Sequence, residues 1–269
     1  LQSSGTVDSW WRTLTIGSLA LTISAATQAQ ESTEDWDITV PRGQTREIDF
    51  TTREGTWMSV DISPDGRYIV FDLLAHVYRV RVEGGAAEVL TQESGIALNF
   101  QPRYSPDGRH IAFVSDRSGQ NGLWIMDADG SNPRAVFADP AVRVVEPTWT
   151  PDGQYIVVRH QDMSPRTLLP ASIWMHHRDG GDGIKLVGSD VPGNTVSPYA
   201  PAWPSVSPDG KYLYFHIYRC SVQPYAGQDM LRGCYQLRRL ELATGDVTAV
   251  ASGQAFQHRL VCRILAALA

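Results

Sequence analysis

One short phrase, Ser-Pro-Asp-Gly, occurs four times in this chain of 269 residues, once with Thr in place of Ser. The copies are Ser63, Pro64, Asp65, Gly66; Ser105, Pro106, Asp107, Gly108; Thr150, Pro151, Asp152, Gly153; and Ser207, Pro208, Asp209, Gly210. Proline presets φ for the second position of a tight turn, aspartate bonds locally, and glycine leaves the turn without a Cβ clash. The phrase therefore predicts a structural turn between two strands, used four times.

The spacing of the phrases favours one repeated all-β unit. They begin 42, 45 and 57 residues apart, and β-rich runs lie on both sides of each one. A unit of about 40–45 residues with four strands is the period of a β-propeller blade. We therefore predict four-stranded antiparallel blades at about 55–91, 97–138, 144–188 and 198–250. A β-sandwich of many hairpins is the alternative, but it would not place the same turn at the same point of every unit.

The segments that flank the repeats differ from them in composition. We predict a signal peptide at 1–29, a linker at 30–45, a propeller over 46–253 that opens with a strand at 46–51, and an atypical tail at 254–269. The first segment has a basic residue, an apolar run and small residues in the order of a secretory signal. The alternative is a disordered or helical extension. The tail lacks a turn phrase, so we expect a truncated or frame-shifted fifth blade there.

Charge and cysteine content limit the partners and the compartment. A net charge of −6 argues against nucleic acid, which requires a basic surface, and against an anionic membrane surface. We expect an exported protein, periplasmic or secreted, with no membrane span once the signal is removed. Export permits disulfides, and Cys220 and Cys234 flank one excursion of the fourth repeat, where they could pair. Two free thiols are an equal alternative, and Cys262 is left over.

Few residues suggest chemistry, and a structural interpretation is stronger for each. His176 and His177 are adjacent on a predicted strand, where neighbours point to opposite faces and so cannot share one metal ion. The Asp127–Asn132 stretch faintly suggests a calcium loop, but its glycine is in the wrong position. The turn aspartates should lie well apart in separate blades. The aromatic residues before the turns should pack between blades: Trp57, Tyr104, Trp149 and Trp203. We therefore assign no catalytic, cofactor-binding or metal-binding residue.

The repeat resembles a known family. Ser-Pro-Asp-Gly followed by Arg/Lys-x-Ile/Leu-x-Phe, together with Trp-Ile-Met-Asp-Ala-Asp-Gly at 124–130, is similar to the TolB-like (WD40-like, PD40) propeller repeat. The stretches at 36–38, 54–61 and 69–74 resemble the N-terminal propeller of exported bacterial amidohydrolases. The resemblance implies a ring of six or more blades, of which four are legible here. It also implies that a metal-dependent hydrolase domain follows the propeller.

Three functions are expected, the first two of them from this resemblance. The first is a non-catalytic exported propeller module that scaffolds or binds, as the N-terminal part of a larger amidohydrolase-type hydrolase. No cofactor is expected in this chain, since a divalent metal would belong to the hydrolase domain. The partners would be that covalently following domain or envelope proteins. The alternative is a stand-alone periplasmic TolB-like propeller for protein–protein contacts, and a weaker one is hydrolase or lyase activity in the chain itself.

Overall fold

Four separate four-stranded sheets account for the strands in the part of the chain that the structure describes. This computed structural model describes residues 37–46, 50–163, 171–188, 201–218 and 235–253. All of them belong to one unit that spans residues 37–269. The sequence-based prediction of an all-β fold with four antiparallel blades is confirmed.

Within each blade the strands are neighbours in chain order, and every pair is antiparallel. The first blade holds β1 (Val60–Ile62), β2 (Tyr68–Leu73), β3 (His76–Arg81) and β4 (Glu88–Val89). The second holds β5 (Asn99–Tyr104), β6 (His110–Ser115), β7 (Gly122–Asp127) and β8 (Arg134–Phe137). The third holds β9 (Val142–Trp149), β10 (Tyr155–Asp162), β11 (Ala171–His177) and β12 (Ile184–Val187). The fourth holds β13 (Pro201–Val206), β14 (Tyr212–Tyr218), β15 (Tyr235–Glu241) and β16 (Val247–Gly253).

A single turn of 3₁₀ helix, Gln92–Ser94, joins the first two blades. Among the residues described, no helix is both long enough and apolar enough to span a membrane.

The first strand of the first blade is short. β1 begins at Val60, five residues after the predicted start of the blade at about 55, and Trp57 has a φ of +61°, outside the extended conformation. The strand predicted at 46–51 lies partly outside the described residues, and the described ones, Arg46, Phe50 and Thr51, are not in a strand. The first sheet pairs β1 only with β2, so these residues have no described strand beside them to complete a ladder.

The same three positions of each repeat build the core between blades. Counted from the Ser or Thr of the turn phrase, they are the preceding residue and those six and eight places later. In the second, third and fourth blades they are Tyr104, Ile111, Phe113; Trp149, Ile156, Val158; and Val206, Leu213, Phe215. Each set packs against apolar residues of the preceding blade, such as Val70, Leu123 and Ile173. We call the sheet face that carries these positions the rear face of a blade.

The antiparallel order gives each blade two different ends. The turn phrases and the turns between the third and fourth strands share one end. The other end, which we call the loop end, carries the connections between the second and third strands and those between blades. The connection between the second and third strands is residues 74–75 in the first blade, 116–121 in the second, 163–170 in the third and 219–234 in the fourth. Variation in length is therefore concentrated at the loop end.

Candidate functional site

Each turn phrase is closed by the same set of hydrogen bonds. In the first copy the Ser63 hydroxyl donates to Asp65 Oδ1 at 2.6 Å and accepts from the Tyr68 N–H at 2.9 Å. The Gly66 N–H donates to the Ser63 carbonyl at 2.8 Å. The hydroxyl of Ser105, Thr150 or Ser207 makes the matching contacts in the other copies. The polar groups of the phrase are thus engaged within the turn.

The carboxylates of these turns stay charged in place. The Ser63 hydroxyl and then the Arg67 N–H lower the pKa of Asp65 from 3.8 to about 2. Neighbouring phrases approach each other through a glycine and a proline. A Cβ on Gly108 would come 3.4 Å from Pro64, since successive first strands pack on each other. We therefore describe the phrases as a continuous structural rim.

A β-bulge interrupts the first strand of three blades at one equivalent position. In β5, β9 and β13 one extra residue faces the second strand. The residue at each bulge precedes a proline and has a positive φ: +54° at Gln101, +61° at Glu146 and +55° at Trp203. A bulge leaves its extra residue outside the ladder, so the N–H of that residue needs another acceptor.

Side chains of the preceding blade accept these bulge N–H groups. The Gln101 N–H donates to Asp72 Oδ2 at 2.7 Å. The Glu146 N–H donates to Gln101 Oε1 at 2.7 Å, and the Trp203 N–H donates to Glu146 Oε2 at 2.5 Å. Asp72, Gln101, Glu146 and Trp203 therefore form one chain of contacts across four blades, which we call the bulge relay. It fixes each blade relative to the next.

A cleft of about 190 Å³ opens beside the start of the relay, at the loop end between the first two blades. Asp72 and Asn99 lie in it, and both are already engaged: Asp72 accepts from the N–H groups of Ser59 and Gln101, and Asn99 accepts from Arg117. Leu74 and Leu98 are exposed beside these groups. Since a cavity of roughly 150 Å³ holds benzene, the cleft suits one apolar side chain of a partner.

The rear face of the first blade is a larger candidate surface. Ile62, Ile69 and Phe71 occupy the three core positions of this repeat, yet Ile62 is 53% exposed. The face borders a cavity of about 1070 Å³ between β2, β3 and residues 50–58. The matching faces of the other three blades are covered by a neighbour. This surface has the composition of an inter-blade contact.

The residues that the sequence singled out as possible metal ligands lie in two places, the end of β11 and the turn that follows β7. His176 is buried and His177 is partly exposed, and both close β11, as expected for adjacent strand residues. In the Asp127–Asn132 stretch, the Ser131 hydroxyl and the Asn132 side-chain amide donate to Asp127 Oδ2, which makes a self-bonded turn. No group of three or more His, Cys, Asp or Glu able to hold a metal occurs among the described residues. Cys220, Cys234 and Cys262 lie outside them.

The prediction for the aromatic residues was half right. Tyr104 and Trp149 are buried between blades, and the Trp149 indole donates to the Arg103 carbonyl of the preceding blade at 3.1 Å. Trp57 is fully exposed and Trp203 is 45% exposed. Both depart from the extended strand conformation, with φ of +61° and +55°. The exposure of these two residues does not agree with the expected packing between blades.

Sequence reasoning missed the bulge relay, although a signal was present. A residue followed by proline stands four places before the Ser or Thr of three turn phrases: Gln101-Pro102, Glu146-Pro147 and Trp203-Pro204. A proline inside a first strand indicates a bulge, because proline cannot donate to the ladder. An acceptor side chain before that proline could have suggested the contact between blades.

Comparison with known proteins agrees with this architecture. The family model described as PD40, TolB beta propeller domain, matches residues 35–219. An uncharacterized protein of Agrobacterium fabrum is 32% identical over 156 residues, which are 55% of this chain and 50% of that protein. The uncharacterized peptidase YuxL of Bacillus subtilis is 47% identical over 65 residues, 24% of this chain and 10% of that protein. The Tol-Pal system protein TolB of Anaeromyxobacter dehalogenans is 50% identical over 46 residues, 17% of this chain and 10% of that protein.

These matches span half or less of the length of each relative. Among solved structures, a structure from an analysis of two prolyl endopeptidases superposes on this chain with a TM-score of 0.52 at 18% identity. The match covers 73% of this chain and 29% of that chain. At that identity the likeness concerns the fold alone. The family match covers more than half of the residues, so the chain belongs to the PD40 family of TolB beta propeller domains.

Proposed function

We propose that the chain is a non-catalytic, exported propeller module that scaffolds or binds, and that it is the N-terminal part of a larger amidohydrolase-type hydrolase. In this proposal the bulge relay holds the blades in one frame, and the frame positions a partner domain. A divalent metal would be held by that hydrolase domain. Neither of these roles requires a reacting group within the propeller.

The observation that carries the proposal is the rear face of the first blade. Ile62, Ile69 and Phe71 stand where the other three blades bury their contact with a preceding blade. An apolar sheet face of this extent is a contact surface rather than a surface suited to water. We infer that a further blade of the same protein covers it, so that the four described blades work within a larger assembly.

The link to a hydrolase rests on the relatives. The Bacillus subtilis protein with 47% identity over 65 residues is named a peptidase, and the matched part is 10% of its length. A propeller repeat of this kind therefore occurs in a protein named for hydrolysis, with most of that protein outside the match. This supports a module that accompanies a hydrolase, and an amidohydrolase partner is the form that we propose.

A stand-alone TolB-like propeller for contacts among envelope proteins is the second candidate. The 50% identity over 46 residues with the Tol-Pal system protein TolB of Anaeromyxobacter dehalogenans favours it. In that case the loop-end cleft between the first two blades would bind a partner protein rather than face a covalently joined domain.

Recovery of the native protein distinguishes the two candidates. Antibodies against the chain would be used on fractionated native cells, and the captured protein would be assayed for amide hydrolysis with and without a chelator. We expect an exported protein well above 29.7 kDa, with chelator-sensitive hydrolysis that the isolated chain lacks. A native protein without hydrolase activity that co-purifies with envelope proteins would favour the second candidate. Metal-dependent turnover by the isolated chain would contradict the non-catalytic assignment.

A further inference from the structure

Two histidines face each other inside the joint between the second and third blades. His160 on β10 and His176 on β11 are 3% and 0% exposed. Their Nε2 atoms are 3.0 Å apart. The ordinary pKa of imidazole lies nearer to neutrality than that of any other side chain. Protonation of a buried histidine pair would therefore make the packing around it depend on pH.

Aromatic rings enclose the pair on the blade 2 side and on its own sheet. Phe137 of β8 lies 4.8 Å from the ring of His160 and 4.6 Å from that of His176. Trp174 stacks on His160 at 5.0 Å. A Cβ on Gly183 would come within 2.5 Å of the His176 ring, so the backbone itself packs against that ring. The two imidazoles therefore have little room to turn away from each other.

Hydrogen bonding assigns the protons of the neutral pair. His176 Nδ1 lies 3.4 Å from the Gly181 carbonyl, which can only accept, so Nδ1 carries the hydrogen. Nε2 of neutral His176 is then a lone pair, and the Nε2–H of His160 donates to it. When both rings are protonated, two N–H groups face each other at this distance and neither can accept.

Little negative charge is available to compensate a proton in this joint. Burial lowers the pKa of His176 by more than the negative charge of Asp182, in the turn after β11, raises it. Of the other charged groups on the packed elements, Arg159 on β10 pairs with Glu146, and Arg134 on β8 pairs with Asp179. A proton added to the pair therefore stays poorly compensated as long as the joint is closed.

We propose that the His160–His176 pair is an acid-sensitive joint between the second and third blades, closed when both imidazoles are neutral and opened by their protonation. Opening would release Phe137 from the pair and expose the rings to water. The device gives the propeller a response to mild acid, whereas the turn carboxylate of Asp65, whose pKa is about 2, responds only at lower pH.

The direction of titration agrees with this geometry. Burial lowers the pKa of both histidines, and burial together with His176 lowers that of His160 from 6.5 to about 3. A base whose pKa is lower in the closed state takes up a proton on opening. The closed state is therefore fully favoured above about pH 6.5 and loses its advantage as the pH falls from there toward 3. Within that window the opening constant rises by up to about tenfold for each pH unit through His160, and less than that close to pH 6.5.

Amide hydrogen exchange on the full chain tests the proposal, with rates corrected for the intrinsic effect of pH. The segments compared are β8, β10 and β11 in the joint, and β2 and β3 as a reference far from it. We expect the joint to open at least about fivefold more at pH 5.5 than at pH 6.5, and the reference to change little. The variant His177→Gln, which alters a histidine on the opposite face, should behave as the unmodified chain.

The double variant His160→Phe, His176→Leu removes both titrating groups and should abolish this pH response. The same response in the double variant, or none in the unmodified chain, would overturn the proposal. If the double variant does not fold, NMR titration of the unmodified chain decides. His160 should remain neutral in the closed protein at pH 5.5, and titration of His160 near 6.5 without increased exchange would refute the device.

Discussion

The aspartate of the turn phrase shows how hydrogen bonds from neighbouring residues hold one side chain in its charged form. Asp65 is exposed, yet its carboxylate accepts from Ser63 and from the backbone and side chain of Arg67. Such bonds favour the charged form of a carboxyl group. The residue is therefore suited to closing a turn and poorly suited to accepting a proton near neutral pH.

The turn phrase predicts a shifted titration that NMR can measure. The pKa of Asp65 should be about 2, below the usual 3.8. Because the pKa is depressed in the folded state, its contribution to stability is present above about pH 3.8 and is lost as the pH falls toward 2. Ser63→Ala should return the pKa part of the way to 3.8, since the hydroxyl is the largest single cause. Arg67→Ala, the control, should shift it less; an equal shift would contradict this ranking.

Residue identity alone predicted the turns, but it did not predict the backbone at Leu74 and Ala75. These two residues form the whole connection between β2 and β3, with φ of +49° and +72°. A two-residue hairpin turn of this kind is normally made by Asn-Gly or Asp-Gly. The sequence gives no such signal here, because neither Leu nor Ala favours a positive φ.

Replacing this pair tests whether the hairpin stores backbone strain. Leu74→Asn with Ala75→Gly should stabilise the chain by about 1–2 kcal/mol, because the left-handed conformation costs roughly that much for ordinary residues. The free energy of unfolding in urea is the measurement. Ala75→Gly alone, the control, should give part of the gain. A loss of stability in the double variant would mean that the apolar contacts of Leu74 outweigh the strain.

Among the elements, the first strands of three blades contain bulges that connect neighbouring blades, and these bulges were not evident in their sequences. The β-rich character of these strands was predictable from alternation and from the turn that ends each one. The bulges were not predicted, since each depends on an acceptor from another blade, such as Asp72 for Gln101. A contact between residues 29 to 57 positions apart leaves no local pattern beyond a proline in the strand.

Removing one acceptor of the bulge relay should weaken the joint that it serves. Gln101→Ala deletes the oxygen that accepts the Glu146 N–H at 2.7 Å. A buried donor without a partner costs about 1–3 kcal/mol, so the free energy of unfolding should fall by about that amount. Gln101→Glu keeps an acceptor and should remain close to the unmodified chain in the same urea titration.

The result would contradict the relay if Gln101→Ala unfolded at the same urea concentration as the unmodified chain. Hydrogen exchange locates the effect. The loss should appear in β9, whose bulge is released, before it appears in β2.

For the molecule as a whole, the repeat and its period predicted the number of sheets and their strand order. The open rear face of the first blade could not be read from the sequence, because Ile62, Ile69 and Phe71 have the same character as residues that are buried elsewhere. Burial at these positions depends on a neighbour and not on the blade itself. These positions are therefore partly exposed in the first repeat, whereas the same positions of the other three repeats pack against a preceding blade.

Hydroxyl-radical footprinting of Phe71 tests whether a further blade covers the rear face of the first blade. The experiment compares the isolated chain with the native protein recovered from its own cells. The equivalent residues Phe113 and Phe215, which are buried against the preceding blades, serve as references and should be protected in both samples. We predict that Phe71 is labelled in the isolated chain and protected in the native protein. Equal labelling of Phe71 in the two samples would contradict the claim that a further blade covers this face.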